Sequence, residues 1–149
     1  MSRRILLDAN LLIQALDGEG TSTESSKVEA KAQLKDLLAD SSVVLAITPL
    51  IRYEVMRGVP LGEPSRFEKL EQALSGFDVF DISASEAKLA ANLWRFLVSK
   101  NQKPDRKTLD LMHFASAETN QLEIASTDGD ICRLKTQYAE MKKELPQHA

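Results

Sequence analysis

The chain has 149 residues, of which 43% are apolar, and this is enough to bury the core of one domain spanning 1–149 without disulfides or structural metals. Its single cysteine excludes an internal disulfide, and the absence of any apolar run near the roughly 20 residues of a membrane span predicts a cytoplasmic protein without membrane contact. The formal net charge of −3 argues against binding of nucleic acid through a broad basic surface, so a polyanionic partner is expected to be recognised locally.

The first half of the chain alternates predicted strands with predicted helices. In chain order these elements are a strand at 3–8, a helix directly after it, a flexible loop at 18–26, an amphipathic helix at 27–40 and a buried strand at 43–47. Thr48 and Pro49 have the order of an N-cap and a first helical residue, which predicts a helix ending near Gly58. Pro60 and Pro64 indicate a loop after that helix.

The second half of the chain continues this alternation. Its predicted elements are a helix at 66–74, a strand at 77–80, a helix at 84–100, a polar and mostly basic loop at 101–107, a helix at 108–120, a strand at 123–126 and a helix at 130–145. The helix at 84–100 is expected to bury one face, made of Ala87, Ala90, Ala91, Trp94, Leu97 and Val98. Trp94 is the expected core anchor of that face.

The order of these elements predicts the fold class. Apolar strands that alternate with helices are typical of a parallel sheet covered on both faces, so we expect a three-layer α/β/α fold with a central parallel sheet. Ligands of such sheets bind beyond the carboxyl ends of the strands. Functional side chains are therefore expected where strands end.

Aspartates follow two of the predicted strands. Asp8 closes the first strand, and Asp128 follows the strand at 123–126 by two residues, so both are expected at the same edge of the sheet. The structural alternative for each is helix capping, because aspartate is a favoured N-cap residue. Two acids at one edge remain a candidate site.

Glu54 is expected to face inward, because it shares a helical stripe with Ile51 and Val55. Burying a carboxylate costs on the order of several kcal/mol unless it is neutralised, paired or bound to a cation. The alternatives to a functional role are an ion pair with Arg52, Arg57 or another arginine near the edge of the sheet, or a side chain that extends to the surface.

Asp110 lies in the first turn of the helix at 108–120, where a negative charge is favoured by the helix dipole. It also shares a helical row with Phe114 and Ala117, so it is aimed toward packed surface. Carboxylates gathered at one edge repel one another unless a counter-charge is present, and a divalent cation supplies one. Oxygen ligands without cysteine or paired histidines favour Mg²⁺ or Mn²⁺, which suits phosphodiester hydrolysis.

Three segments carry a resemblance to a known family: ILLDANLLI around Asp8, AITPLIRYEVMRG around Glu54, and TLDLMHFASAETNQLEIASTDGDI around Asp110 and Asp128. Over almost its full length the chain resembles the PIN domain, and especially the toxin nucleases of VapBC-type toxin–antitoxin pairs. The likeness departs from the family at Ile131, where an aromatic residue is common after the last acid. It departs again where Ser126 precedes Thr127, since the family's threonine usually stands one position earlier.

The resemblance implies an active site and its chemistry. Asp8, Glu54, Asp110 and Asp128 would be the acidic quartet that binds Mg²⁺ or Mn²⁺, with Asp130 as an accessory metal ligand. Either Asp8 or Asp128 would accept the proton of the attacking water. Asp105 competes with Asp110 for the third position, and we prefer Asp110 because Asp105 lies in a loop after a proline.

The resemblance also implies a substrate and partners. The expected activity is metal-dependent endoribonuclease cleavage of RNA by the toxin of a toxin–antitoxin pair, with a VapB-like antitoxin as partner and a homodimer as the assembly. Basic residues near the acids are expected to meet substrate phosphates, and two polar residues are expected to support the site. The expected substrate-binding residues are Asn10, Thr48, Arg52, Lys103, Arg106 and Lys107.

Two other functions stay open on the sequence. One is a PIN-like module that has lost catalysis and binds RNA or a protein. The other is a phosphatase with Asp8 as nucleophile, although Asn10 stands where such enzymes have a second aspartate. His113, one helical turn after Asp110, is expected to be a hydrogen-bonded packing residue.

Overall fold

The computed structural model of the protein describes residues 3–18, 20–102, 108–126 and 130–148. They belong to two compact units, one drawn from Met1–Asp81 and Glu123–Thr127, the other from Ile82–Leu122 and Asp128–Ala149. The expectation of one domain over the whole chain stays a prediction. Within the described ranges, no helix has both the length and the apolar character needed to cross a bilayer.

The first unit is built on a parallel sheet. Its strands are β1 (Arg3–Leu7), β2 (Val43–Ile47), β3 (Asp78–Val79) and β4 (Glu123–Ala125), in the order β3-β2-β1-β4. All three neighbouring pairs are parallel. The carboxyl-terminal halves of β1 and β2 are fully buried, as expected for strands covered on both faces.

Seven α-helices are present in the part of the chain that the structure describes. The first unit contains α1 (Ala9–Leu16), α2 (Glu24–Ala39), α3 (Pro49–Met56) and α4 (Pro64–Leu74). The second unit contains α5 (Ala84–Ser99), α6 (Thr108–Asn120) and α7 (Asp130–Glu144), followed by a short 3-10 turn (Pro146–His148). The predicted α/β fold with a central parallel sheet is confirmed.

Two helices begin earlier than the sequence predicts. Helix α2 begins at Glu24 and not at residue 27, because the Thr23 side chain accepts a hydrogen bond from the Ser26 N–H (3.2 Å) and caps the helix there. Helix α4 begins at Pro64, which was predicted to lie in a loop. Proline fits a first helical position, where its missing N–H has no partner to lose.

The predicted buried face of α5 is partly wrong. Leu93, Phe96 and Leu97 are in the core, whereas Val98 is 46% exposed and Trp94 is only half-buried. The reason is Glu86, which is 2% exposed and faces α6.

The carboxylate of Glu86 is held by side chains of α6. Its two oxygens accept hydrogen bonds from Ser116 Oγ (2.7 Å) and Asn120 Nδ2 (3.0 Å). These bonds turn α5 so that the stripe through Glu86, Ala90, Leu93 and Leu97 lies inside. The partners of this buried acid lie 30 or more residues away in the chain. The periodicity of apolar residues in α5 therefore could not predict that Glu86 is buried.

Candidate functional site

Three polar residues follow neighbouring strands of the sheet. Leu6 of β1 pairs with Ala46 of β2, and Leu7 pairs with Ala125 of β4. The next positions, Asp8, Thr48 and Ser126, therefore lie at one edge, with adjacent strands about 4.8 Å apart. We call these three residues the carboxyl edge of the sheet.

Asp8 is fixed at this edge by hydrogen bonds to the end of β4. Its N–H donates to the Ala125 carbonyl (3.0 Å), and its Oδ2 accepts from Ser126 Oγ (2.9 Å). The side chain is buried, since the residue is only 5% exposed. Asp8 occupies the N-cap position of α1, yet its side chain makes no capping hydrogen bond to the described residues of that helix. Capping therefore does not account for this carboxylate.

Thr48 begins the helix that carries Glu54. It is 1% exposed, and its Oγ1 accepts a hydrogen bond from the Ile51 N–H (3.2 Å), as the predicted N-cap should. Glu54 is half-buried between the buried residues Ile51 and Val55, which agrees with its predicted inward stripe. Helix α3 thus leads from the carboxyl edge to this second acid.

The two arginines of α3 do not neutralise Glu54. Among the ion pairs of the described residues, none joins Glu54 to Arg52 or to Arg57. Arg57 instead places its guanidinium 5.2 Å from the centre of the Tyr53 ring. An ion pair with either of these two arginines therefore does not explain the inward glutamate.

The second unit carries two further predicted acids. Asp110 lies in the first turn of α6, half-buried, with Phe114 and Ala117 buried further along the helix. Asp130 is the first residue of α7 and is also half-buried. Both acids stand at helix N-termini, where the helix dipole favours negative charge.

Several predicted site residues lie outside the described residues, namely Asp128, Asp105, Lys103, Arg106 and Lys107. Of the remaining predicted substrate contacts, Asn10 is exposed on α1 and Arg52 is half-buried on α3. Their role, and the meeting of the acids of both units in one quartet, stay predictions.

His113 is 2% exposed on α6. Its burial agrees with the packing role expected for it from the sequence.

The donor chemistry of the predicted acids fits a hard divalent cation. Asp8 and Glu54 in the first unit, and Asp110 and Asp130 in the second, offer carboxylate oxygens, the ligands that Mg²⁺ and Mn²⁺ prefer. Among the described residues, which leave out 127–129, no three acidic, histidine or cysteine side chains form a group able to hold a metal ion. The predicted ligand Asp128 lies in that omitted segment.

Ser126 is the member of the carboxyl edge that sequence reasoning missed. The sequence shows only a serine at the end of a short strand. Its contact with Asp8 becomes visible once β4 is placed beside β1 with Leu7 opposite Ala125. A polar residue directly after each strand of a parallel sheet is the signal that could have found it.

The fold and the carboxyl edge define a class of α/β protein in which a buried aspartate lies at the carboxyl end of a parallel strand. A model of the PIN domain family matches residues 5–136. The chain belongs to the PIN domain family, a family of nucleases. The resemblance drawn from the acidic segments is thus confirmed.

Solved structures share the fold of this chain. VapBC2 from Rickettsia felis, bound to a DNA fragment from their promoter, has a TM-score of 0.67 and 19% identity, covering 88% of this chain and 92% of that one. A toxin–antitoxin complex from Klebsiella pneumoniae has a TM-score of 0.58 and 25% identity, covering 84% and 87%. FitAcB from Neisseria gonorrhoeae has a TM-score of 0.66 and 19% identity, covering 87% and 91%. A comparison with curated protein sequences finds no match.

Proposed function

We propose that the chain is a divalent-metal-dependent endoribonuclease and the toxin of a toxin–antitoxin pair. The single observation that carries the proposal is the Asp8 carboxylate, buried at the carboxyl edge, held by Ser126 and unused as a helix cap. Family membership supports the nuclease activity, because the PIN domain family is a family of nucleases.

In this proposal Asp8, Glu54, Asp110 and Asp128 bind Mg²⁺ or Mn²⁺, with Asp130 as an accessory ligand. When bound, such a cation neutralises the scissile phosphate and lowers the pKa of a bound water. Either Asp8 or Asp128 would accept the proton of the attacking water, since a carboxylate within hydrogen-bond reach is a competent base.

The residues around Asp8 hold its carboxylate in place for this role. The Ser126 hydroxyl and the backbone bond to Ala125 fix its position from the β4 side, so little reorganisation is needed when a cation arrives. Thr48 fixes the start of α3, and therefore the position of Glu54 along that helix. Its predicted contact with substrate is the less favoured role, because the side chain is buried.

Positive side chains are proposed to meet the phosphates of the RNA. Arg52 lies on α3 beside Glu54, and the sequence places Lys103, Arg106 and Lys107 shortly before Asp110. These local cations suit a chain whose net charge of −3 opposes general attraction of RNA. Asn10, exposed at the start of α1, is proposed to support substrate binding near Asp8.

An antitoxin partner and a homodimer complete the proposal. The antitoxin partner is supported by the likeness in fold to a toxin–antitoxin complex from Klebsiella pneumoniae and to VapBC2 from Rickettsia felis. We propose that a VapB-like protein covers the acidic site and inhibits it. Co-expression with the product of an adjacent small reading frame should then yield a stable complex without nuclease activity.

Cleavage of a panel of structured and unstructured RNAs tests the activity. The wild type is expected to cleave at least one RNA with Mg²⁺ or Mn²⁺, and a chelator should stop the reaction. Asp8→Asn should lose the activity, because a neutral amide is a poor ligand for these cations. Asp36→Asn, on the exposed face of α2, is the matched control and should cleave like the wild type.

Thermal unfolding of both variants separates loss of chemistry from loss of fold. Equal cleavage by the wild type and Asp8→Asn would remove Asp8 from the mechanism. Binding of RNA without cleavage by any metal-loaded sample would favour the inactive binding module.

A further inference from the structure

An exposed aromatic ring and a guanidinium lie together on α3, beside Glu54. Tyr53 is 54% exposed, and the Arg57 guanidinium lies over its ring at 5.2 Å from the centre. Arg57 is four residues after Tyr53 and three after Glu54, and residues at these spacings are neighbours on a helix surface. The pair is therefore attached to the same stretch of helix as the proposed metal ligand.

Among the described residues, no carboxylate forms an ion pair with this guanidinium. Within the ranges that the structure describes, Arg57 takes part in no ion pair, and the same is true of Arg52 on the same helix. By contrast, Arg3 and Arg66 of the same unit each pair with a carboxylate. Two arginines without such pairs are a local positive site on a chain whose net charge is −3.

We infer that Tyr53 and Arg57 form a stacking site for an unpaired nucleobase of single-stranded RNA, an inference that rests on the proposed ribonuclease function. Exposed aromatic faces stack bases of any sequence, and arginine adds cation–π and phosphate contacts. Bases inside an A-form duplex do not offer their faces to a side chain, so the site selects unpaired segments.

The position of the pair gives the stacking site a role in the reaction. Tyr53 and Glu54 are adjacent residues, so their Cα atoms are about 3.8 Å apart. A base held on Tyr53 brings its own stretch of backbone to the part of α3 that carries the proposed ligand. Tyr53 is thus a substrate-positioning residue, and its loss should raise KM more than it lowers kcat.

Binding of RNA by a non-cleaving protein tests the inference. In the Asp8→Asn background, fluorescence anisotropy compares a labelled single-stranded oligonucleotide with the same length of RNA closed in a hairpin stem. Tyr53→Ala should weaken binding of the single strand between about fivefold and a hundredfold, the range expected for one stacked base. Tyr53→Phe should keep the wild-type affinity, because the stacking face remains.

Two further variants complete the experiment. Phe67→Ala removes an aromatic side chain that is 43% exposed on α4, and it should leave RNA binding unchanged. Arg57→Gln should weaken binding and reduce the slope of log affinity against log salt by about one phosphate contact.

The outcomes separate this inference from the proposed function. If Tyr53→Ala, without the Asp8 substitution, cleaves RNA with wild-type KM and kcat, the stacking site does not exist while the nuclease stands. If Tyr53→Ala turns a dimer into a monomer with RNA binding unchanged, the ring is a contact between copies of the chain and the inference is overturned. If the wild type neither binds nor cleaves any RNA, both proposals fail.

Discussion

The ion pair between Asp17 and Arg66 tests how burial determines the contribution of an ion pair to the free energy of unfolding. Arg66 donates two hydrogen bonds to Asp17, from Nε to Oδ1 (2.9 Å) and from Nη2 to Oδ2 (2.6 Å). Their side chains are only 14% and 7% exposed. The pair joins the end of α1, the helix that starts after Asp8, to the start of α4.

Arg66→Met should destabilise the protein by about 3–5 kcal/mol, because it leaves the Asp17 carboxylate buried without its cation. For a chain of this size that loss lowers Tm by roughly 10 °C. Asp17→Asn should cost less, because Arg66 keeps a second partner, Glu63, at 3.2 Å. The two variants should differ in stability because only Arg66→Met leaves a buried charge without a partner of opposite charge.

The chain contains its own control for this prediction. Arg3 and Glu123 form a pair of the same two-bond geometry, at 3.2 and 2.7 Å, but their side chains are 55% and 57% exposed. Arg3→Met should therefore leave Tm close to that of the wild type, because water solvates the remaining charge.

Urea unfolding of the single and double variants of both pairs measures the two coupling energies. Added salt should weaken the exposed pair and barely change the buried one. Equal coupling energies, or equal sensitivity to salt, would refute the reasoning from burial.

Three further predictions follow from local contacts. Ser126→Ala removes the hydroxyl that donates to the Asp8 carboxylate. The rate of RNA cleavage should fall between about tenfold and a hundredfold, as it does when a hydrogen-bond partner of a metal ligand is lost, while the circular dichroism spectrum stays unchanged. Full activity of the variant would remove this serine from the site. Gln121→Gly should raise the free energy of unfolding by about 1 kcal/mol, because Gln121 follows α6 with a φ of 55°, which glycine adopts without steric cost. Asn101→Gly should raise the free energy of unfolding by less, since asparagine tolerates its φ of 56° better than glutamine does. The reverse order of the two variants would contradict this account. Hydrogen bonds from the Ser42 hydroxyl and amide lower the pKa of Asp40. The contribution of Asp40 to stability is therefore present above the ordinary pKa of 3.8 and is lost as pH falls through the lower pKa of the folded state. Ser42→Ala should raise the pKa of Asp40 in an NMR titration, and an unchanged pKa would contradict the assignment.

The sheet was predictable because its information is local. The run that forms β2 is apolar throughout, and β1 is apolar from Ile5 to Leu7; a parallel sheet buries such runs on both faces. Thr48 followed by Pro49 marked the start of α3 for equally local reasons. From these elements alone, Asp8 could be placed at the end of a strand and Glu54 on an inward stripe.

Contacts between distant parts of the chain could not be predicted in this way. The hydrogen bond from Ser126 to Asp8 joins residues 118 positions apart, and its existence depends on the register of β4 against β1. The facing of α5 depends on Glu86 and on its partners in α6. Periodicity describes how apolar residues repeat within one element, and it contains no information on which polar group will meet which across two elements.

The other N-cap residues show how Asp8 differs from a residue whose role is helix capping. Thr23, Thr48 and Ser83 each occupy an N-cap and each accepts a hydrogen bond from the third residue of its helix. Asp8 belongs to an equally good class of capping residue and occupies the same position before α1, yet its carboxylate turns to Ser126. Helix α1 thereby forgoes a cap that is typically worth about 1 kcal/mol, while a charged group stays buried. A local choice that costs stability and differs from the capped helices α2, α3 and α5 is expected at functional positions. This cost is the physical reason to assign Asp8 to chemistry and the other three caps to folding.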